Sequence, residues 1–381
     1  MAQVPLLLME KDVYFGEKLA AYLRTSEFAD RLALHWHTSE QEGWRWIEEM
    51  KSPFIAVVHE SIPLPEPLPE ACRAQLWLLC ESERGSSTAG TAGTAGADGQ
   101  PLRILAKYQP LNRLLSSLIA GYNDTETHAP IRGTRYAATT VVYSPIGGSG
   151  KTVTAVHTAA QLTAAGERVL LLCFERLPSR VWYTSASEQG QGDADTFSKL
   201  LYYAKTRPAK IAAQLEQLKL RHVQGRFDYI PPLTYAQEWD ELGAAEVQAL
   251  LAGAADSGVY DHVIVDADSA DTPAAAALLE AADHILWPVA DDCIQLQKIT
   301  EWFDARRAVD AQKTEQLRRN VIFIHNRAMG SQTVNTFSDY SIIVRGRLPY
   351  VPEWKALGRA DVQLLRGFAD EAVAALRGGK R

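Results

Sequence analysis

Apolar residues in this chain fall in short continuous runs, and most runs lead into a stretch with helical spacing. Val4-Pro-Leu-Leu-Leu-Met9 reads as a buried strand. Acidic Glu10 and Asp12 follow it, and a helical pattern runs on to about Leu23. Leu32 to Trp36, Phe54 to Val58, Leu76 to Leu79 and Leu102 to Ala106 read as four further strands. Ser39 is placed to cap a helix that reaches Met50, with Glu42 positioned for a capping box. Another helix is expected from about Pro110 to Tyr122. Strands alternating with helices predict a doubly wound parallel sheet.

The pattern then starts again. Thr139 to Tyr143 reads as a strand and Thr152 to Ala165 as an Ala-rich helix. Arg168 to Glu175, Asp261 to Asp266, His284 to Val289 and Val321 to His325 are strands, three of them with an acid or an Asn at or just beyond the end. Thr184 to Asp195 is polar, and Thr196 to Ala204 turns helical. Gln237 to Ala255 predicts one amphipathic helix used for core packing, and Asp361 to Leu376 a helix packed on the surface, ahead of a terminal Arg-Gly-Gly-Lys-Arg. The fold class expected is therefore α/β, with two doubly wound parallel-sheet domains. The boundaries read as a first domain over 1–122, a linker over 123–135 marked by Pro130 and Gly133, and a second domain over 136–381. Within the first, residues 84–99 form a Gly/Ser/Thr/Ala repeat too poor in apolar surface to offset chain entropy, which predicts a flexible loop.

Bulk properties narrow this picture. A chain of 381 residues exceeds what one core usually holds, and 46% hydrophobic with 22% charged residues is an ordinary globular balance. A net charge of −7 argues against broad coating of nucleic acid. Cys72, Cys80, Cys173 and Cys293 lack metal or redox spacing and read as reduced thiols. Glu10, Lys11 and Asp12 interrupt the first apolar run too early for a signal peptide. No run approaches the ~18 apolar residues of a membrane helix. A cytoplasmic protein is expected, recruited to the inner face of the membrane, if at all, through partners.

The chemistry concentrates in Ser144-Pro-Ile-Gly-Gly-Ser-Gly-Lys-Thr152, between a strand and a helix. Glycines let successive N–H groups converge on one anion, and the helix N-terminus adds its positive end. Gly147, Gly148, Ser149, Gly150, Lys151 and Thr152 are thus candidate nucleotide ligands: Lys151 for the outer phosphates and the Thr152 hydroxyl for Mg²⁺. Asp266, ending a buried strand, fits the acid that orders the Mg²⁺ shell. Glu175, also at a strand end, stands where ligands of open α/β sheets bind.

The segment G-G-x-G-K-T resembles the deviant Walker A loop of the MinD/ParA ATPases. That resemblance implies ATP or ADP with Mg²⁺ as ligands and a homodimer as the working form. It implies a water-orienting role for Glu175 and adenine contacts at Asn326 and around Pro349. Lys151, Glu175 and Asp266 are the catalytic candidates. Two positions depart from the family pattern: Ile146 stands where its signature Lys is found, and Cys173 where the first acid of an Asp-x-Asp pair is found. Hydrolysis is therefore expected to be slow or absent, since Ile146 removes a phosphate-neutralising charge. The first domain resembles the receiver domain of response regulators, with Lys107 and the acids after strand one in place. His59 stands where the phosphoacceptor Asp would be, which implies a pseudo-receiver used for docking or dimerisation. This domain order is similar to the CpaE/TadZ type. It implies an ATP-gated localisation or assembly factor for a pilus or type II/IV secretion system. A ParA-like DNA-partition ATPase and a non-hydrolysing nucleotide-bound scaffold are the alternatives.

Overall fold

The computed structural model describes all residues except 1–2, 71–75, 82–102, 126–128, 184–194, 234–235, 331–332, 334, 356–362 and 379–381. The 84–99 repeat, Cys72, most of the polar stretch 184–195 and the last three residues lie outside the described residues. The chain divides into two compact units, Met1–Thr134 and Arg135–Arg381.

The first unit contains β1 (Val4–Met9), α1 (Val13–Thr25), β2 (Leu32–His37), α2 (Glu40–Glu49), β3 (Ile55–His59), β4 (Leu76–Cys80), β5 (Arg103–Ala106) and α3 (Leu111–Asp124). The strands form one parallel sheet in the order β2-β1-β3-β4-β5, a doubly wound arrangement with its switch point beside β1. Side chains alternate across the sheet. Leu6, Leu8, Ile55 and Val57 pack against α1 and α3 through Phe15, Leu19, Leu115 and Leu118, while Leu7, Met9, Ala56 and Val58 face Ile47 of α2. Asp12 caps α1 by accepting from Phe15 N at 3.2 Å. Ser39 is at the N-cap of α2, but its side chain makes no capping bond, so the expected capping box does not form. Beyond α3, Ile131 is tied back to this unit. Asn123 accepts from Ile131 N at 2.6 Å and donates to Ile131 O at 3.1 Å, and Ile131 joins the core.

The second unit is built from β6 (Ala138–Val142), α4 (Lys151–Ala164), β7 (Val169–Phe174), α5 (Thr196–Thr206), α6 (Ile211–Leu218), β8 (Leu220–Arg221), β9 (Asp228–Tyr229), α7 (Ala236–Asp240), α8 (Ala244–Asp256), β10 (His262–Ala267), α9 (Pro273–Ala281), β11 (His284–Val289), α10 (Cys293–Val309), α11 (Ala311–Asn320), β12 (Val321–Ala328), β13 (Val344–Pro349) and α12 (Asp370–Gly378). Its sheet runs β13-β12-β11-β6-β10-β7-β9-β8, parallel except for the β8–β9 pair at one edge. Val141, Leu170, Leu172, Val263 and Val265 point toward α5, α6, α8, α9 and α10. Val142, Leu171, Cys173, Ile264 and Ile324 point toward α4 and α12.

Two helices depart from the sequence reading. The single helix expected over 237–255 is two, because Gly243 takes an extended backbone and its N–H donates to Glu246 Oε2 at 2.9 Å, starting α8 afresh. The C-terminal helix starts at Asp370, nine residues later than expected, after a turn in which Gly367 has φ +75°. Ala372, Val373 and Leu376 bury its inner face, as a packed surface helix requires. Among the described residues no helix is long and apolar enough to cross a membrane.

Candidate functional site

The loop from Tyr143 to Gly150 joins β6 to α4 at the carboxyl end of the sheet, where β7 and β10 also end. Gly148 (φ +70°) and Gly150 (φ +95°) hold left-handed conformations that an L side chain rarely adopts. Among the described residues, chain neighbours aside, no heavy atom lies within 4 Å of where a Cβ would stand on Gly147 or Gly148, so the loop presents an open backbone cradle. The Ser149 hydroxyl is buried and has no partner among the described residues. At Gly150 the situation is the reverse. A Cβ there would collide with the Asn326 side chain, which donates from Nδ2 to Ser149 O at 2.7 Å. Arg327 adds a bond from Nη2 to Gly148 O at 2.8 Å. The amide expected to read a base is thus fastened to the loop, and its Oδ1 accepts from Arg327 N at 2.9 Å. Pro349 pairs with Ala328 at the end of β13, two residues beyond Asn326, and is exposed.

Lys151, Thr152, Glu175 and Asp266 come together. Lys151 is buried at the start of α4; its Nζ donates to Ser269 Oγ at 2.7 Å and lies 3.6 Å from Glu175 Oε1. Thr152 Oγ1 donates to Glu175 Oε2 at 3.1 Å. Asp266 is fully buried; its Oδ2 accepts from Tyr183 Oη at 2.6 Å and its Oδ1 has no hydrogen-bond partner among the described residues. Burial raises the Asp266 carboxyl above its usual range, and the charge of Glu175 raises it further. Tyr183, Thr152 and Lys151 pull it back. Glu175 is raised by burial and opposed by Lys151. Asp268 does not join them: its carboxylate accepts from Arg176 N and Ala270 N at 2.9 Å each. Ile146 packs against the apolar core on the α5–α10 side of the sheet.

These donors suit a phosphate-bound divalent cation. Among the described residues no cluster of three or more metal-ligating side chains exists. What is present is one hydroxyl and an orphaned, buried carboxylate oxygen beside an open N–H cradle. That set fits Mg²⁺, which takes most of its shell from water and phosphate oxygens. Sequence reasoning missed Ser269 and Tyr183. Neither belongs to a spacing pattern, and both reach the site by the course of a loop.

The first unit holds a second charged cluster at the carboxyl end of its sheet. Lys107 Nζ, buried, lies 3.1 Å from Glu10 Oε2 and 3.2 Å from Asp12 Oδ2. His59 ends β3 and shares Glu10 with Lys107, with Nε2 3.9 Å from Glu10 Oε2 and 3.7 Å from Glu81 Oε1. Glu60 turns back, accepting from Glu81 N at 3.0 Å. An imidazole therefore stands at this end of β3, where a phosphate-accepting pocket would need a carboxylate nucleophile.

No family model matches the chain, and no curated protein matches it. Solved structures do. The chain is similar to one from the MinC:MinD cell division protein complex of Aquifex aeolicus, at 17% identity, covering 64% of this chain and 96% of that one with a TM-score of 0.50. It is also similar to a ParA family ATPase from Chlorobium tepidum, at 18% identity over 62% of this chain and 98% of that one with a TM-score of 0.48. A third likeness is to Cyanothece McdA in its complex with ATP, at 18% identity over 65% and 96% with a TM-score of 0.47. The first likeness is one of fold: a mixed α/β body with a parallel sheet, as in the ParA/MinD P-loop ATPases.

Proposed function

We propose that the second unit binds ATP or ADP with Mg²⁺, and that the chain is an ATP-gated localisation or assembly factor of the CpaE/TadZ type, serving a pilus or secretion machine. The observation that carries nucleotide binding is the convergence of Lys151, Thr152, Glu175 and Asp266 beneath an open backbone cradle. In this reading the N–H groups from Gly147 to Lys151 receive the phosphates, and Lys151 leaves Glu175 to pair with the outer ones. Thr152 Oγ1 and Asp266 Oδ1 would hold the Mg²⁺ shell, directly or through water. Bound Mg²⁺ supplies neutralisation of phosphate charge. Glu175, released by Lys151, is then free to orient a water. Ile146, packed into the core, adds no charge to the phosphates, so turnover is slow. The first unit, with His59 at the end of β3, serves for docking as a pseudo-receiver. Support for the pilus or secretion assignment is the order of the two units and the residues that resemble that type.

The test is calorimetry with a non-hydrolysable ATP analogue and Mg²⁺, together with light scattering. Lys151→Ala is expected to abolish binding, and unchanged affinity sinks the site assignment. A molar mass that doubles only with the analogue supports a homodimeric switch. A second reading, a non-hydrolysing scaffold, is favoured by the apolar packing of Ile146 and by the thiol of Cys173. Turnover no greater than that of Lys151→Ala selects it.

A further inference from the structure

The contact that a nucleotide site does not by itself explain is the one between Tyr183 and Asp266. Both side chains are completely buried, and the phenol donates to Oδ2 at 2.6 Å while Oδ1 is left without a hydrogen-bond partner among the described residues. Tyr183 follows a single 3₁₀ turn, Arg180–Trp182, in the segment that leaves Glu175. That turn is itself anchored. Arg180 Nη2 donates to Leu233 O at 2.6 Å, and Trp182 packs edge-on against Trp354 and His157. The phenol is thus delivered by a braced segment, as an orienting group must be.

The neighbouring strand explains why it fits. Cys173 of β7 lies directly across from Asp266 of β10 in the parallel register. The Cys173 thiol is fully buried and held neutral by that burial and by the Asp266 charge. A carboxylate at position 173 would set a second negative charge beside Asp266 and compete for the phenolic proton. A neutral thiol adds no such charge, and its sulfur, itself in hydrogen-bonding reach of the phenol, is a weaker acceptor than a carboxylate.

We infer that Tyr183 is a positioning residue for the divalent cation, fixing the Asp266 carboxylate by one oxygen so that the other faces the metal shell, and that Cys173 is the replacement that admits it. This rests on the nucleotide-binding reading above. Hydrogen bonds to the groups that hold a metal commonly govern its affinity by about 10- to 100-fold. Tyr183→Phe keeps the ring and removes only the donor. Tyr183→Ala removes both.

The experiment measures affinity of the full chain for a non-hydrolysable ATP analogue, in EDTA and across a Mg²⁺ titration. Spectra of Mn²⁺ bound with the analogue report the metal's environment without turnover. In Tyr183→Phe the Mg²⁺ concentration giving half the cation-dependent gain should rise by about tenfold or more. Affinity in EDTA should stay within about twofold of wild type, because the loop is untouched. The Mn²⁺ spectrum should change. An unaltered Mg²⁺ midpoint and Mn²⁺ spectrum in Tyr183→Phe, with a loss in Tyr183→Ala, would mean that the ring only packs, and would overturn the assignment. Wild-type protein that binds no analogue in either medium would remove the nucleotide reading, and this inference with it. Wild type that binds equally with and without Mg²⁺ would remove this inference alone.

Discussion

Gly150→Ala tests the loop where the structure makes its strongest geometric demand. Gly150 has φ +95°, and a left-handed backbone costs an L residue about 1–2 kcal/mol. Its new Cβ would strike Asn326 Nδ2 and push it off Ser149 O, a bond of 2.7 Å between buried groups. Stranding those groups costs about 1–3 kcal/mol. The sum is about 2–5 kcal/mol, or a fall in Tm of at least ~4 °C for a unit of this size. Calorimetric unfolding of the full chain measures it, and a double-mutant cycle separates the terms. In an Asn326→Ala background the collision is gone, so Gly150→Ala should cost only its backbone strain, which leaves a coupling of about 1–3 kcal/mol between the two positions. Equal costs in both backgrounds, to within about 0.5 kcal/mol, would refute the claim that Asn326 is fastened to the loop.

Two further outcomes follow from buried charge. His157, buried among Trp182, Trp354 and Phe368, is pushed down to about 4 by burial and then by His222. A depressed histidine is neutral in both states above its unfolded value near 6.5 and costs nothing there. As pH falls below that value the unfolded chain takes up the proton first, so stability drops by up to about 3 kcal/mol before levelling near pH 4. Urea unfolding from pH 7 to pH 4 should show this slope in wild type and a weaker one in His157→Gln. In the first unit, Lys107→Met leaves Glu10, 2% exposed, without its cation and should cost about 3–5 kcal/mol in the same assay, with most of the loss recovered in Lys107→Met/Glu10→Leu.

How much of this was readable in advance depends on how local the signal is. The phosphate loop is local: glycines, Lys151 and Thr152 stand together, and the strand before and helix after are continuous patterns. Asp266 and Glu175 are nearly local, since a buried strand with an acid at or just beyond its end aims that acid at the sheet's carboxyl edge. A single helix is expected over 237–255 because its Ala/Leu periodicity passes through Gly243. The break there is made by one backbone turn and Glu246, which periodicity does not register. Ser39 illustrates the converse, a cap residue in the right place whose hydroxyl is not used. The family resemblance points to Asn326, but its partners on the loop are about 180 residues back in the chain, at a distance no spacing rule spans. Tyr183 and Ser269 carry no signal beyond their identity, and only the folded course of their loops brings them to Asp266 and Lys151.

The charges at the site argue for a division of labour. Without a ligand, Glu175 and Asp266 both feel Lys151 as their cation, and both are nonetheless raised by burial, so one ammonium is too little for two buried carboxylates. Under the proposed reading a triphosphate would add more negative charge and claim Lys151 for itself. In the family that the loop resembles, a further lysine meets that excess. Here Ile146 stands in its place and faces the core. Under the proposed reading, the remaining sources of positive potential are the loop N–H groups, the start of α4 and the divalent cation. Two of these are fixed by the backbone. The third depends on Asp266 remaining ionised and correctly turned although it is sealed from water. A phenol on one of its oxygens, with a neutral thiol rather than a second acid alongside, meets both conditions at once. Under that reading, Ile146 in the loop and Tyr183 beside Cys173 belong together: a site that relies less on mobile side-chain charge and more on a rigidly held metal shell.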